Sequence, residues 1–127
     1  MKIGFVASSF DLLHAGHIMM LEEAKMNCDY LLVGFNINPE NKNPIQTADE
    51  RYIQLSAVKY VDEIVEYESE GELLNILKSR SIQIRFLGDD YLNKSYTGEE
   101  LKIPIHFISR DHGYSTTELK KRIKEAK

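Results

Sequence analysis

Apolar runs of strand length alternate with amphipathic runs of helix length along the whole chain. This alternation predicts an α/β protein with a parallel five-stranded sheet flanked by helices. Two further observations bound the prediction. The chain has 127 residues, 43% of them hydrophobic, which suits one domain with an adequate core. It also shows no linker, internal repeat or low-complexity segment, so residues 1–127 read as a single domain.

The elements follow in order. Lys2–Ala7 reads as a buried strand, and Gly16–Asn27 as a helix with apolar residues at Ile18, Met20, Leu21 and Ala24. Asp29–Phe35 is a second apolar strand. Asn36–Gln46, rich in Asn and Pro, is the longest loop and is expected to be mobile. Thr47-Ala48-Asp49-Glu50 fits a capping box and opens a helix expected to reach Lys59, burying Ile53, Ala57, Tyr60 and Val61. Glu63–Tyr67 is a short strand. Glu70–Arg80 is a helix expected to pack through Leu73, Leu74 and Leu77. Gln83–Leu87 is a strand that turns off at Gly88-Asp89-Asp90, and Pro104–Ser109 is the last strand. Ser115-Thr116-Thr117-Glu118 fits a second capping box and starts a helix that runs to the end of the chain. Sheets of this kind bind ligands beyond the carboxyl ends of their strands. The three distinctive loops, after Ala7, Leu87 and Ser109, all leave such ends.

Composition excludes several classes. The net charge of −4 argues against broad nucleic-acid binding, which needs a basic surface. Any phosphate site must be built locally. The single cysteine, Cys28, cannot form an internal disulfide, so a reducing, cytoplasmic setting is expected. Met1-Lys2 leads straight into a strand, which leaves no room for a signal peptide, and no apolar run is long enough for membrane insertion.

The stretch Phe10-Asp11-Leu12-Leu13-His14-Ala15-Gly16-His17 carries the chemistry. It joins a strand to a helix and places two histidines around one glycine at the helix start. A helix N-terminus offers unpaired N–H groups and the positive end of the macrodipole, which together favour an anion such as phosphate. Gly16 lets a ligand approach the backbone, and His14 and His17, three apart, share one face of the first turn. On these residues alone, two ordinary turn histidines are as good a reading as phosphate donors. A zinc site is disfavoured, because two ligands do not complete one and no cysteine cluster accompanies them.

This stretch resembles the HxGH signature of the nucleotidyltransferase superfamily. The whole chain resembles bacterial glycerol-3-phosphate cytidylyltransferases from end to end. Further matching blocks follow in the same order: Glu50-Arg51, Tyr60-Val61-Asp62-Glu63, Gly88-Asp89-Asp90-Tyr91 and Arg110-Asp111-His112-Gly113-Tyr114-Ser115-Thr116-Thr117. The resemblance implies a Rossmann-like fold, a homodimer and transfer of CMP from CTP, with Mg²⁺, to a small phosphorylated alcohol. It points to sn-glycerol 3-phosphate as that acceptor. It further implies that His14, His17, Ser115, Thr116 and Arg110 hold the triphosphate and that Arg51 grips the acceptor phosphate with two parallel hydrogen bonds. His14, His17, Arg51 and Arg110 form the expected catalytic set.

The remaining assignments are carried over position by position. Ser8, Ser9, Phe10, Asp11, Gly16, Lys42, Gly88, Asp89, Asp90 and Thr117 are expected to border the nucleotide. Asp11 and Asn38 are expected on the acceptor side. Asp89 and Asp90 can accept from a base amino group or a ribose hydroxyl. Three positions depart from the family pattern: Ser8 replaces a glycine, Asn38 an aspartate, and Asp111 a threonine. Asp111 would sit unfavourably beside a polyanion and is expected to point away. The carboxylate of Asp62 is read as structural, fixing the turn between a helix end and a strand. Three rivals stay open: the same chemistry with another phosphorylated acceptor, ATP as donor, and a nucleotide-binding module without turnover.

Overall fold

The computed structural model describes residues 1–40 and 42–126. Five strands, β1 (Ile3–Ser8), β2 (Tyr30–Asn36), β3 (Glu63–Tyr67), β4 (Ile84–Gly88) and β5 (Ile105–Ile108), form one parallel sheet in the order β3-β2-β1-β4-β5. Between them lie α1 (Ala15–Met26), α2 (Ala48–Ser56) and α3 (Glu70–Ser79), and α4 (Thr116–Glu125) follows β5. This is the expected Rossmann-like α/β architecture. No helix among the described residues is long and apolar enough to cross a membrane.

The two faces of the sheet bury separate clusters. Val6, Leu31, Val33 and Phe86 meet Leu21 and Ala24 of α1 and Leu55 of α2 on one side. Phe5 and Leu32 meet Leu73, Ile76 and Leu77 of α3 on the other. Successive strand residues point to opposite faces, so strands covered on both sides are apolar at nearly every position. The run Leu31 to Phe35 is buried throughout for this reason.

Strands fall where the sequence places them to within a residue or two, and the first capping box forms as expected, whereas Ser115 caps its helix without the return contact from Glu118. Thr47 accepts from the Glu50 N–H at 3.1 Å, and the Glu50 carboxylate returns the contact to the Thr47 N–H at 3.0 Å. Asp62 fixes its turn as expected, accepting from the Leu31 N–H at 2.7 Å and pairing with Lys25 at 2.6 Å.

Three expectations are corrected. Helix α2 stops at Ser56 rather than Lys59, because Val58, Tyr60 and Val61 reach the core only if the chain turns beneath it. The helix tightens there through bonds from the Ala57 N–H to Gln54 and from the Val58 N–H to Leu55. Its buried face is Arg51 and Leu55, four apart, which turns Ile53 outward. In α3 the third buried position is Ile76 rather than Leu74. Finally, the segment between β4 and β5 contains two short 3₁₀ turns, Asp89–Tyr91 and Glu99–Leu101, that the sequence did not disclose.

Candidate active site

Topology opens the site. β1 stays paired with β2 as far as Ser8 and Phe35, and β4 stays paired with β5 as far as Gly88 and Ile108. Between β1 and β4, however, pairing ends at Phe5 and Arg85. The sheet therefore splits at its carboxyl edge, where the strand order reverses. A crevice of about 580 Å³ occupies the split. Such switch points are where open α/β sheets take ligands.

The β1–α1 turn follows β1, whose Val6 and Ala7 line the crevice. It is tightly wound: Phe10 and Leu12 both have positive φ, at 53° and 49°. His14 is the N-cap of α1, and its Nδ1 accepts from the Gly16 N–H at 3.0 Å. Nδ1 of His17 accepts from the His14 N–H at 3.2 Å. A neutral imidazole that accepts at Nδ1 carries its proton on Nε2. Both rings are thereby held as Nε2–H donors, with centroids 4.0 Å apart.

Helix α4 closes the other side. Ser115 caps it, accepting from the Glu118 N–H at 3.0 Å. Thr116 Oγ1 donates to the Asp11 carbonyl at 3.2 Å and lies 3.3 Å from His14 Nε2. The two helix starts meet closely at Gly16. A Cβ there would lie 2.8 Å from His14 Cε1, 3.0 Å from the Tyr114 carbonyl oxygen and 3.1 Å from His112 Cε1. Only glycine lets the loop after β5 pack this tightly on the start of α1.

The electrostatics keep the imidazoles neutral. Burial, and then the neighbouring His14 and Arg110, push the His17 pKa down to about 3. His14 is lowered by burial, with His112 and Arg110 adding to the effect. An unfolded chain takes up protons on these rings near the ordinary histidine pKa of about 6.5, while the folded His17 resists down to about 3. Stability contributed by the neutral ring is therefore complete above about pH 6.5 and declines as pH falls toward about 3. The melting temperature of the wild type is expected to fall more steeply over that window than that of His17→Asn, which cannot titrate. Parallel curves would show that His17 is not held neutral by the fold.

Several sequence-predicted residues are placed differently from expectation. Arg51 is 2% exposed and has four backbone contacts. Its Nε donates to the Gln46 carbonyl at 3.2 Å, Nη1 to Ser9 at 3.0 Å and Asn36 at 2.9 Å, and Nη2 to Ile37 at 2.9 Å. No fork is left for a phosphate, so Arg51 is a clasp joining the ends of β1 and β2 to the start of α2. Asp11 is likewise buried, accepting from the Ile45 and Gln46 N–H groups at 2.9 and 3.0 Å. It pins the far end of the 37–46 loop, and the loop expected to be mobile is anchored at both ends. The Phe10 side chain is fully buried in the core, with its ring centroid 5.4 Å from that of His17. The Ser9 carbonyl is turned onto Arg51, and Ser8 Oγ accepts from the Phe10 N–H at 3.3 Å. Asn38 is exposed past β2 and does not line the crevice.

Others do converge. Gly88 lines the crevice. Asp89 accepts from the Arg110 N–H at 3.3 Å, and Asp90 lies 3.5 Å from the exposed Arg110 guanidinium. Exposed pairs of this kind contribute at most about 1 kcal/mol, so an incoming phosphate can take Arg110 from Asp90. Lys42 is exposed, and its charge helps lower His17. Thr117 and Asp111 are exposed.

Two residues were not singled out from sequence. His112 packs against Gly16, stacks on Tyr114 with centroids 5.2 Å apart, and accepts at Nδ1 from the Tyr114 N–H at 2.9 Å, which makes it a third Nε2–H donor. Lys120, one turn into α4, reaches within 4.0 Å of Asp11. The signal for Lys120 was its spacing of four from Thr116, which sets both on one helix face.

Comparisons with known proteins agree with this fold. A family described as cytidylyltransferase-like matches residues 5–123. The bifunctional protein HldE of Helicobacter pylori (strain HPAG1) is 34% identical over 129 residues, covering 97% of this chain and 28% of that protein. The corresponding protein of Campylobacter concisus (strain 13826) is 34% identical over 132 residues, covering 99% of this chain and 28% of its own length. The chain thus spans 28% of the length of these curated relatives. Among solved structures, the lipopolysaccharide core biosynthesis protein from Thermoplasma volcanium GSS1 superposes with a TM-score of 0.67 at 26% identity, covering 86% of this chain and 95% of that one. The pantoate-beta-alanine ligase of Francisella tularensis shares the fold, with a TM-score of 0.56 at 21% identity over 97% of this chain and 69% of that one.

Proposed function

Because the chain belongs to the cytidylyltransferase-like family of nucleotidyltransferases, we propose that it transfers CMP from CTP to a small phosphorylated alcohol, with sn-glycerol 3-phosphate as the leading acceptor. The observation that carries this proposal is the pair of Nε2–H donors of His14 and His17, held by the helix start and faced by the N-terminus of α4. An oxygen of the acceptor phosphate attacks the α-phosphorus in line. The bond from that phosphorus to the bridging oxygen breaks, and its electron pair leaves with pyrophosphate. No covalent enzyme intermediate is needed. The two imidazoles, Arg110, Lys42 and Lys120 position the triphosphate and balance the charge that grows on the departing oxygens. Mg²⁺ bound with the triphosphate would supply charge neutralisation. Among the described residues no three His, Cys, Asp or Glu side chains gather to cage it, so the proposal puts the ion on the substrate. A homodimer forms part of the same proposal, and sedimentation velocity checks it.

A second reading takes ATP as donor. Asp89 and Asp90 allow it equally, because their carboxylates can accept an exocyclic amine that cytosine and adenine share. A thermal-shift and pyrophosphate-release comparison separates the two. CTP with Mg²⁺ is expected to raise the melting temperature, since a ligand bound only by the folded state stabilises it by mass action, and ATP to do much less. Equal shifts and equal turnover would replace the cytidylyl assignment with an adenylyl one. Nucleotide binding without pyrophosphate release, across a panel of phosphorylated acceptors, would leave a binding module.

A further inference from the structure

Arg51, the arginine assigned to the acceptor by resemblance, is used up on backbone carbonyls, yet the crevice contains another. Arg85 is the last β4 residue paired with β1 and is 4% exposed, a charged side chain among apolar strand positions. Its guanidinium lies over the Tyr96 ring at 5.3 Å, and Nη1 donates to the Thr97 carbonyl. Among the described residues Nε and Nη2 make no hydrogen bond. Among the described residues no buried side-chain nitrogen or oxygen lacks a partner, so these donors are reached by solvent, and the space they meet is the crevice that Arg85 lines. The same Thr97 donates its hydroxyl to Glu70 Oε2, which brings a carboxylate to the same wall. Tyr67 and Tyr91 complete it.

Donors met only by solvent in the crevice can give their hydrogen bonds to a ligand in place of water. A lone cation would suit a second anion, but Glu70 beside it opposes one. A donor and an acceptor linked through one threonine, with tyrosine rings around them, match a hydroxyl group, which both accepts and donates. We infer that this part of the crevice is the acceptor subsite, in which Arg85 and Glu70 read hydroxyls on the non-reacting end of a polyhydroxylated phosphate. The inference rests on the nucleotidyl-transfer proposal for its reaction, and on the crevice alone for its binding.

The test uses sn-glycerol 3-phosphate, ribitol 5-phosphate and ethyl phosphate, which lacks hydroxyls, with wild type, Arg85→Met and Glu70→Gln. Both variants should raise the Michaelis constant for the two polyol phosphates by roughly tenfold or more, the loss expected of a charge-assisted hydrogen bond. The nucleotide Michaelis constant and the constant for ethyl phosphate should stay near wild type, so discrimination for hydroxyls collapses. Should Arg85→Met fail to fold, Glu70→Gln decides, because Glu70 is an exposed first-turn residue of α3 whose size is preserved. Unchanged polyol constants in a folded variant would overturn the inference. So would an equal loss for ethyl phosphate or for the nucleotide. Thermal shifts with ribitol 5-phosphate alone separate the two readings: a shift lost in Glu70→Gln, in a protein without turnover, would retire the reaction and keep the subsite. No shift and no polyol preference in the wild type would retire the subsite.

Discussion

Replacing His17 by alanine is expected to lower kcat by at least about 10²-fold, the usual loss for one donor aimed at developing charge. The reason lies in how the ring is held. Its Nδ1 accepts from the His14 N–H, its face rests on buried Phe10, and burial keeps it uncharged, so Nε2–H is presented without a rotamer search. A donor fixed for the departing pyrophosphate stabilises the transition state more than the bound nucleotide, so kcat should fall while the CTP dissociation constant changes little. Alanine also removes half of the reciprocal contact at the helix start, and loss of such a cap costs about 1 kcal/mol. His17→Asn distinguishes the two effects. The asparagine Oδ1 can accept the His14 N–H in place of Nδ1, while nothing replaces Nε2–H. The asparagine variant should therefore recover much of the melting temperature and none of the rate. His14→Ala should show a comparable rate loss, and the double variant less than the product of the two, because both rings act on one polyphosphate. A destabilised His17→Ala with near-normal turnover per folded molecule would reduce the pair to helix caps.

What could be seen in advance divides along a physical line. Patterns that act within one turn were legible: Thr47 with Glu50, Ser115 ahead of Glu118, and His14 with His17 across Gly16. So was the sheet, since strands covered on both faces must be apolar almost throughout. Partnerships made across the fold were not. Asp11 meets Ile45 and Gln46 from 34 and 35 residues away, and His14 meets Thr116 from 102. No local spacing encodes such contacts. Arg51 shows the difficulty most clearly: an arginine in the first turns of a helix looks solvent-facing, and only its burial reveals that its donors are already engaged. Arg85 did leave a signal, a charge inside the apolar run Ile84 to Leu87, where an unexplained charge has to find a partner or a ligand.

Arg51→Met is expected to be the most destabilising of these substitutions. Methionine preserves much of the volume against Phe35, over whose ring the guanidinium lies at 5.2 Å, but it offers no donor. The carbonyls of Ser9, Asn36, Ile37 and Gln46 would then lose their partner together. A buried acceptor left unmet costs about 1–3 kcal/mol, and the terms do not simply add, because loop ends can shift and admit water. A total of roughly 3–5 kcal/mol is reasonable for breaking a buried network of this size. That is a large part of the roughly 5–15 kcal/mol by which a domain is stable. The melting temperature should fall by roughly 10–20 °C. Arg51→Lys should fall between the two, since an ammonium can reach one or two of the carbonyls but lacks the planar fork that serves four. The consequence for function is indirect. The same clasp positions the β1–α1 turn and the 37–46 loop, so the folded fraction of Arg51→Lys should lose kcat before it loses acceptor affinity. An acceptor clamp would behave in the opposite way. A variant melting within about 2 °C of wild type, but with its acceptor Michaelis constant raised tenfold or more, would return Arg51 to the acceptor and leave the four carbonyl contacts without energetic weight.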